Sequence, residues 1–434
     1  MPLAIPSALK FSRSPKIISL PMNIFWALVG NAGYAGFTWL ILIALTKLGS
    51  VSEVGLFGIA QAVALPIQMF FTFKLRTVQI TDSSTSFNAA DYLGIRVYAA
   101  VVNVIVSTSI ALVFYPSEVV LVVCIQSISY GIMIIREMYQ AVLQKCQRLD
   151  LVALSNIANG LFCCIAFVCA YSFHRVLWMA LAWMTVTRFS LLYLVDRWLC
   201  CFLLREEKFL SFRYFTSKDY YKRLIKLLKI GVPLGGVALI GTLFLSVPRV
   251  VLERMHGLDS VGYYAAMSST IVILNMLTTS FGQAFIPILA KLNATDKKGF
   301  LRLFAQYLII NTILFIVCII VVNLHGPSIL SILFNQDYAR YSTEFTLLIS
   351  AGGILSIFSA MNTGLSAQQS FAVQFPIYLV CATAIVIAAL LLIPSQSIAG
   401  AAWASIVCYC VGVILCSVKF AINVFKNGKR HGTI

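Results

Sequence analysis

The sequence predicts an all-α integral membrane protein of about twelve transmembrane helices. They are expected in two six-helix bundles, related by a pseudo-two-fold axis along the membrane normal and enclosing a central cavity. Three observations carry this expectation. Hydrophobic residues make up 60% of the 434 and charged residues only 11%, against roughly 25% charged in soluble domains. Apolar runs recur from Asn23 to Phe420, each near the roughly 20 residues that a helix needs to cross hydrocarbon. The basic residues behind the net charge of +17 fall in alternate loops.

The runs are continuous, whereas a membrane barrel would show short alternating strands. Helices also satisfy their own backbone hydrogen bonds in lipid. The candidate spans are 24–46, 54–73, 92–115, 119–136, 151–172, 176–199, 227–248, 262–289, 301–324, 343–364, 371–393 and 398–420. Before them, Met1 to Pro21 holds Lys10, Arg13 and Lys16 but no apolar core. It reads as a basic arm and not as a cleavable signal. With that arm inside, 26 of the 32 Lys and Arg lie in cytoplasmic segments and adjoining span ends. Only Lys47, Arg175, Arg249, Arg254 and Arg340 lie opposite, and Arg188 falls within a span. The asymmetry predicts a multi-pass protein of the inner membrane with both termini cytoplasmic. It also accounts for the basic charge without nucleic acid. The cysteines lie mostly in apolar runs with no CxxC spacing, so they read as packing residues and no metal site is expected.

The longest loop, Asp196 to Lys229, divides six spans from six. It predicts domains 1–200 and 227–434, joined by a basic linker at 201–226. The end of the loop, Tyr220 to Lys229, places bases and apolar residues at helical spacing, which suits a helix lying on anionic headgroups. A weak internal repeat supports the division. Glu53–Val54–Gly55–Leu56–Phe57–Gly58 is echoed 207 residues later by Ser260–Val261–Gly262–Tyr263–Tyr264–Ala265. Six spans per repeat make the repeats parallel, and two such bundles can rock about a cavity.

Three stretches carry a family resemblance: Leu40 to Pro66 (LILIALTKLGSVSEVGLFGIAQAVALP), Val247 to Ala266 (VPRVVLERMHGLDSVGYYAA) and Ile393 to Ala404 (IPSQSIAGAAWA). With the length, the span count and the mid-chain break, they resemble the polysaccharide-transport branch of the multidrug/oligosaccharidyl-lipid/polysaccharide exporter superfamily. These are the O-antigen and exopolysaccharide flippases. The resemblance implies a V-shaped two-bundle fold and alternating access. It implies a substrate, an undecaprenyl-diphosphate-linked oligosaccharide moved from the cytoplasmic to the periplasmic leaflet. Membrane lipids, a polysaccharide polymerase and a chain-length regulator are the implied partners. No cofactor is implied.

Moving a diphosphate across hydrocarbon is a solvation problem, because its charges cannot cross bare. Cations inside the protein are therefore the first candidates. Arg188 sits near the middle of span six, and its fork suits a phosphate. The competing expectation is that it reaches along the helix to Asp196, about 12 Å away. Arg249 follows Val247–Pro248 at the outer end of span seven, with Glu253 as its ordinary partner and Arg254 beside it. Arg136, like Lys74 and Arg76, reads as a charge at a cytoplasmic span end. Asn31, Tyr34 and Thr38 share one face of span one, interleaved with Gly30, Gly33 and Gly36. Gln61 joins them as a polar lining candidate, with Gln68, Gln126, Asn275, Gln283 and Asn362 behind it. Trp39 and Tyr263 are candidate stacking surfaces for sugar rings.

No carboxylate cluster is expected within a span, and no Walker A sequence occurs. The chain is therefore expected to be a transporter and not an enzyme. The runner-up is a cation-coupled multidrug exporter of the same superfamily, and a membrane polysaccharide polymerase comes after it.

Overall fold

The computed structural model describes residues 20–81, 87–200, 218–368 and 370–430. Most of the basic arm and the linker residues 201–217 lie outside the described residues. Within them the chain is helical. The helices are α1 (Leu20–Leu48), α2 (Val51–Phe71), α3 (Leu75–Thr81), α4 (Ala89–Phe114), α5 (Ser117–Lys145), α6 (Leu149–His174) and α7 (Leu177–Leu191). A π-helical turn, Leu192–Arg197, follows α7. Then come α8 (Lys218–Thr295), α9 (Lys297–Leu333), a 3-10 turn (Gln336–Tyr341), α10 (Ser342–Ala367) and α11 (Phe371–Arg430).

Ten stretches of the described residues are long and apolar enough to cross a membrane. Two of them, Tyr220–Val272 and Val373–Val424, run to 53 and 52 residues. At about 1.5 Å per residue each is longer than two hydrocarbon thicknesses of roughly 30 Å. Each also contains a break, at Gly257 (φ 78°, ψ −179°) and at Ser397 (φ 50°, ψ −122°). A break in so long a helix is where the chain turns back, so the count is compatible with twelve crossings.

Packing divides the chain into two compact units. The first holds Met1–Ile41 and Val63–Thr242, the second Leu42–Ala62 and Leu243–Ile434. These boundaries cut through helices, whereas the boundaries expected from the sequence follow the order of spans.

Within the first unit, side chains are sorted in the reverse of a soluble protein. On α4 the inward face carries Arg96, Ala99, Ala100, Asn103, Ser107 and Ala111. Val97, Val101, Ile105, Leu112 and Val113 point outward and are exposed. Small and polar groups pack between helices while branched apolar groups meet the lipid. The start of α8 follows the opposite pattern, with bulky apolar groups inside and bases outside. Tyr220, Leu224 and Leu227 enter the core formed by Phe73, Tyr92, Ile134 and Met138. Tyr221, Lys222, Ile225, Lys226 and Lys229 remain exposed, a mixed basic and apolar face. Arg223 fastens this segment to Asp91 of α4 at 3.1 Å.

In the second unit the two glycines of the internal repeat meet. A Cβ at Gly55 would strike the carbonyl oxygen of Leu258, and a Cβ at Gly262 would strike that of Val51. The start of α2 and the part of α8 after Gly257 therefore cross backbone to backbone. Beside this crossing, His256 Nε2 lies 2.8 Å from the Ile393 carbonyl, joining the regions of the two breaks. Arg340 donates to the Tyr263 hydroxyl at 2.7 Å.

The crossing yields a stability test. Gly262→Ala places a methyl group against a backbone oxygen that cannot swing away, and overpacking of this kind costs about 1–3 kcal/mol. Gly36 faces open space, so Gly36→Ala should instead gain up to about 1 kcal/mol of helix propensity. Thermal unfolding of the two purified variants in detergent should show opposite shifts of the midpoint.

Candidate functional site

The polar interior of the first unit begins with a helix that changes its winding. Arg188, Leu192 and Asp196 are all buried, while Tyr193, Leu194 and Trp198 are exposed. An α-helix drifts around its axis with each four-residue step. The wider π turn needs more residues per revolution and so cancels that drift. The two charged residues thus stay on one inward face although they are eight positions apart.

Asp196 does not serve Arg188. It is held by Arg136, whose Nε donates to its Oδ2 at 3.1 Å, with the two side chains 4% and 1% exposed. Ser155 of α6 donates to the other carboxylate oxygen. Arg136 Nη2 also donates to Ser155 Oγ at 2.7 Å and to Asn156 Oδ1 at 3.1 Å. Asn156 accepts from Gln140 at 2.7 Å and donates to Asn31 of α1 at 3.3 Å. Gln140 and Gln144 accept from Arg76 at 2.8–3.1 Å. Arg136 is thereby placed inside α5 and not at a span end as expected. The helix continues to Lys145 because its polar residues after 136 are bonded inward. Asp196, placed by the sequence at the start of the long loop, is instead a single carboxylate buried within a helical run.

Arg188 lies deeper. Its bonding partner Ser129 precedes Arg136 by seven residues of α5, about 10.5 Å along the helix. It is 5% exposed, and Nη1 donates to Ser129 Oγ at 2.6 Å. Tyr34 of α1, Tyr130 of α5 and Cys163 of α6 are its electrostatic neighbours. Nε has no partner. Among the described residues it makes no ion pair, whereas the other buried arginines of this unit do: Arg96 pairs with Glu137 and Arg136 with Asp196, each at 3.1 Å.

The structure brings Arg188 and Tyr34 together, and separately Arg136 and Asn31. The Tyr34 hydroxyl donates to Met133 Sδ at 3.4 Å. Thr38 is exposed and returns its hydroxyl to the Tyr34 carbonyl at 2.8 Å. In the second unit Arg249, 7% exposed, donates to Gln61 Oε1 at 3.3 Å and to Ser268 Oγ at 3.4 Å. It does not take Glu253, which lies 3.5 Å from the exposed Arg254. Asn275 accepts from Ser359 at 3.1 Å, and Asn362 donates to the Phe358 carbonyl at 3.0 Å. The side chain of Gln283 lies outside the described residues. The sequence reading missed Ser129, Ser155, Asn156, Asn159 and Cys163. For the four on α6, the steps of three or four residues from Ser155 and Asn156 to Asn159 and on to Cys163 were the available signal; Ser129 of α5 carried none.

The Arg136–Asp196 pair is open to measurement. Removing one partner of a buried ion pair leaves the other charge bare, at a cost of about 3–5 kcal/mol. Asp196→Asn should therefore destabilise strongly. The double variant Arg136→Met/Asp196→Asn should recover part of that loss, as read from a thermal double-mutant cycle.

Comparison with known proteins adds three results. Residues 20–293 match the family model described as polysaccharide biosynthesis protein. The chain is 27% identical over 387 residues to the capsular polysaccharide biosynthesis protein CapF of Staphylococcus aureus, covering 88% of this chain and 94% of that protein. Solved structures share the fold at low identity. The lipid II flippase MurJ in an inward closed conformation aligns with a TM-score of 0.69 at 13% identity, over 92% of this chain and 87% of that one. The Vibrio cholerae MATE transporter VcmN aligns at 0.63 and 12%, over 95% and 96%.

Proposed function

Because the chain belongs to the polysaccharide biosynthesis protein family, we propose that it is a flippase for lipid-linked oligosaccharide diphosphates. It carries repeat units for O-antigen or exopolysaccharide synthesis from the cytoplasmic to the periplasmic leaflet of the bacterial inner membrane. Alternating access of its two six-helix halves moves them. The observation that carries this reading is Arg188, a buried charge in a membrane span that donates to a neutral hydroxyl and, among the described residues, pairs with no carboxylate. An intramembrane charge needs a counter-ion, and a diphosphate supplies one from outside the protein. CapF is named for capsular polysaccharide biosynthesis and MurJ for flipping lipid II. A polysaccharide role in the one and a lipid-linked substrate in the other together support a lipid-linked saccharide as substrate.

The cation-coupled exporter reading gains one observation, the buried Asp196. That carboxylate is neutralised by Arg136 within the same unit, so the interior is left with surplus positive charge. Surplus positive charge favours an anionic cargo.

Arg188 supplies the test. Arg188→Lys keeps the charge and loses the fork, so transport should fall partially. Arg188→Ala should abolish it, and Arg188→Glu should in addition repel the anion. The measurement is surface polysaccharide restored to a strain lacking the gene, at matched membrane levels and low expression. Wild-type polysaccharide from Arg188→Ala would refute the reading.

The topology follows from the charge count. A reporter active only in the periplasm should be silent after Ile434 and active when inserted between Pro116 and Glu118. Activity after Ile434 would overturn the orientation.

A further inference from the structure

Arg188 does not stand alone as an unsatisfied donor. On α6, Asn159 is 1% exposed and its Nδ2 has no partner. Its Oδ1 lies 3.9 Å from the Cys163 thiol, and the same Cys163 adjoins the Arg188 side chain. Cys163 thus neighbours both side chains: Asn159, through its Oδ1, and Arg188. Sulfur is a weak acceptor, and the Cys163 thiol is turned to the Met184 carbonyl at 3.8 Å. Among the described residues neither Asn159 Nδ2 nor Arg188 Nε has a hydrogen-bond acceptor.

Their chemistry defines what is missing. A buried N–H without an acceptor is unfavourable, and low dielectric raises the cost. Here an amide donor and a guanidinium donor share one neighbour, Cys163, the guanidinium bears a full charge, and among the described residues no carboxylate pairs with it. An acceptor that satisfies both must offer more than one oxygen and a negative charge. Phosphoryl groups have both properties, and hydrogen bonds to charged oxygens are the strong kind.

We propose that Asn159 is a second binding residue of the anion site, donating Nδ2–H to a phosphoryl oxygen of the diphosphate that Arg188 holds. This rests on the reading of Arg188 given above. Arg188 supplies charge and Asn159 supplies direction, because a planar amide on a packed helix fixes where an oxygen can sit. The Ser129 hydroxyl, which takes Arg188 Nη1, holds the fork so that Nε remains turned to the ligand.

Two substitutions at Asn159 separate binding from packing. Asn159→Leu keeps the number and branching of the side-chain heavy atoms and removes the donor. Asn159→Asp places a carboxylate beside Arg188, so the protein carries its own counter-ion and the site is filled. The probe is farnesyl diphosphate, with inorganic pyrophosphate in parallel, titrated into the full-length protein in detergent by calorimetry. Loss of one hydrogen bond to a charged group corresponds to roughly a tenfold fall in affinity or more. Asn159→Leu should show that fall with no loss of thermal stability. Asn159→Asp should bind as poorly as Arg188→Ala, with a melting temperature at or above that of the wild type. Saturable binding of farnesyl diphosphate alone assigns the ligand as a lipid diphosphate, and equal binding of pyrophosphate assigns it as the bare anion. Wild-type affinity in both Asn159 variants, with loss only in Arg188→Ala, would overturn this inference and leave the reading of Arg188 standing. Wild-type affinity in Arg188→Ala would instead overturn the reading on which both rest.

Discussion

Hydrocarbon cannot hydrate an ion, so the first unit depends on how its buried charges are answered from within. The pair between Arg136 and Asp196 is the centre of that arrangement. It joins α5 to the π turn after α7, and through Ser155 and Asn156 it takes in α6. Asn31 and Gln140 extend it to α1 and towards Arg76. A pair so buried adds less stability than its Coulomb attraction suggests, because both ions lost their water. What it fixes is geometry. With the oxygens and N–H groups shared among α5, α6 and the turn after α7, a shift of one helix breaks bonds on the others. The π turn belongs to the same constraint, since it keeps Asp196 on the inward face.

Against this background the setting of Arg188 has a clear physical meaning. Arg96 and Arg136 are tied to fixed carboxylates and carry no net charge into the interior. Arg188 rests on a hydroxyl and keeps its charge. Moving a charged headgroup through a membrane requires a partner that neutralises it and then lets go. A fixed carboxylate next to the arginine would compete with the cargo throughout the cycle. A neutral hydroxyl holds the side chain in place without competing. The match to the polysaccharide biosynthesis protein family agrees with the carrier proposed above.

Much of the helical plan was legible from hydropathy because lipid imposes it span by span. The long apolar runs gave α1, α2, α4, α6 and α10 within a few residues of their observed ends. Where the reading stopped short, polar residues were the cause. Span four was ended at Arg136, yet α5 runs on to Lys145 because Gln140 and Gln144 are bonded to Arg76. Asp196 was taken for a loop residue because its partner lies 60 positions away on another helix. The depth of Arg188 was readable, since no other basic residue falls so far from both ends of its run. Which acceptor it meets was not, because a serine in an apolar run looks like packing until its neighbour is known. The glycines of the repeat were visible as an echo in the sequence, but their mutual approach was not.

That approach sets how the second unit can behave. Where Gly55 and Gly262 pass each other, backbone lies against backbone, with Val51 and Leu258 carbonyls taking the space of absent side chains. A surface built this way resembles a smooth bearing. It interlocks no long side chains, and sliding or parting across it frees no rotamers and strips no bulky groups from their sockets. A crossing of this kind keeps its register closely. It returns to the same fit each time, because main-chain atoms, unlike side chains, have only one shape to offer.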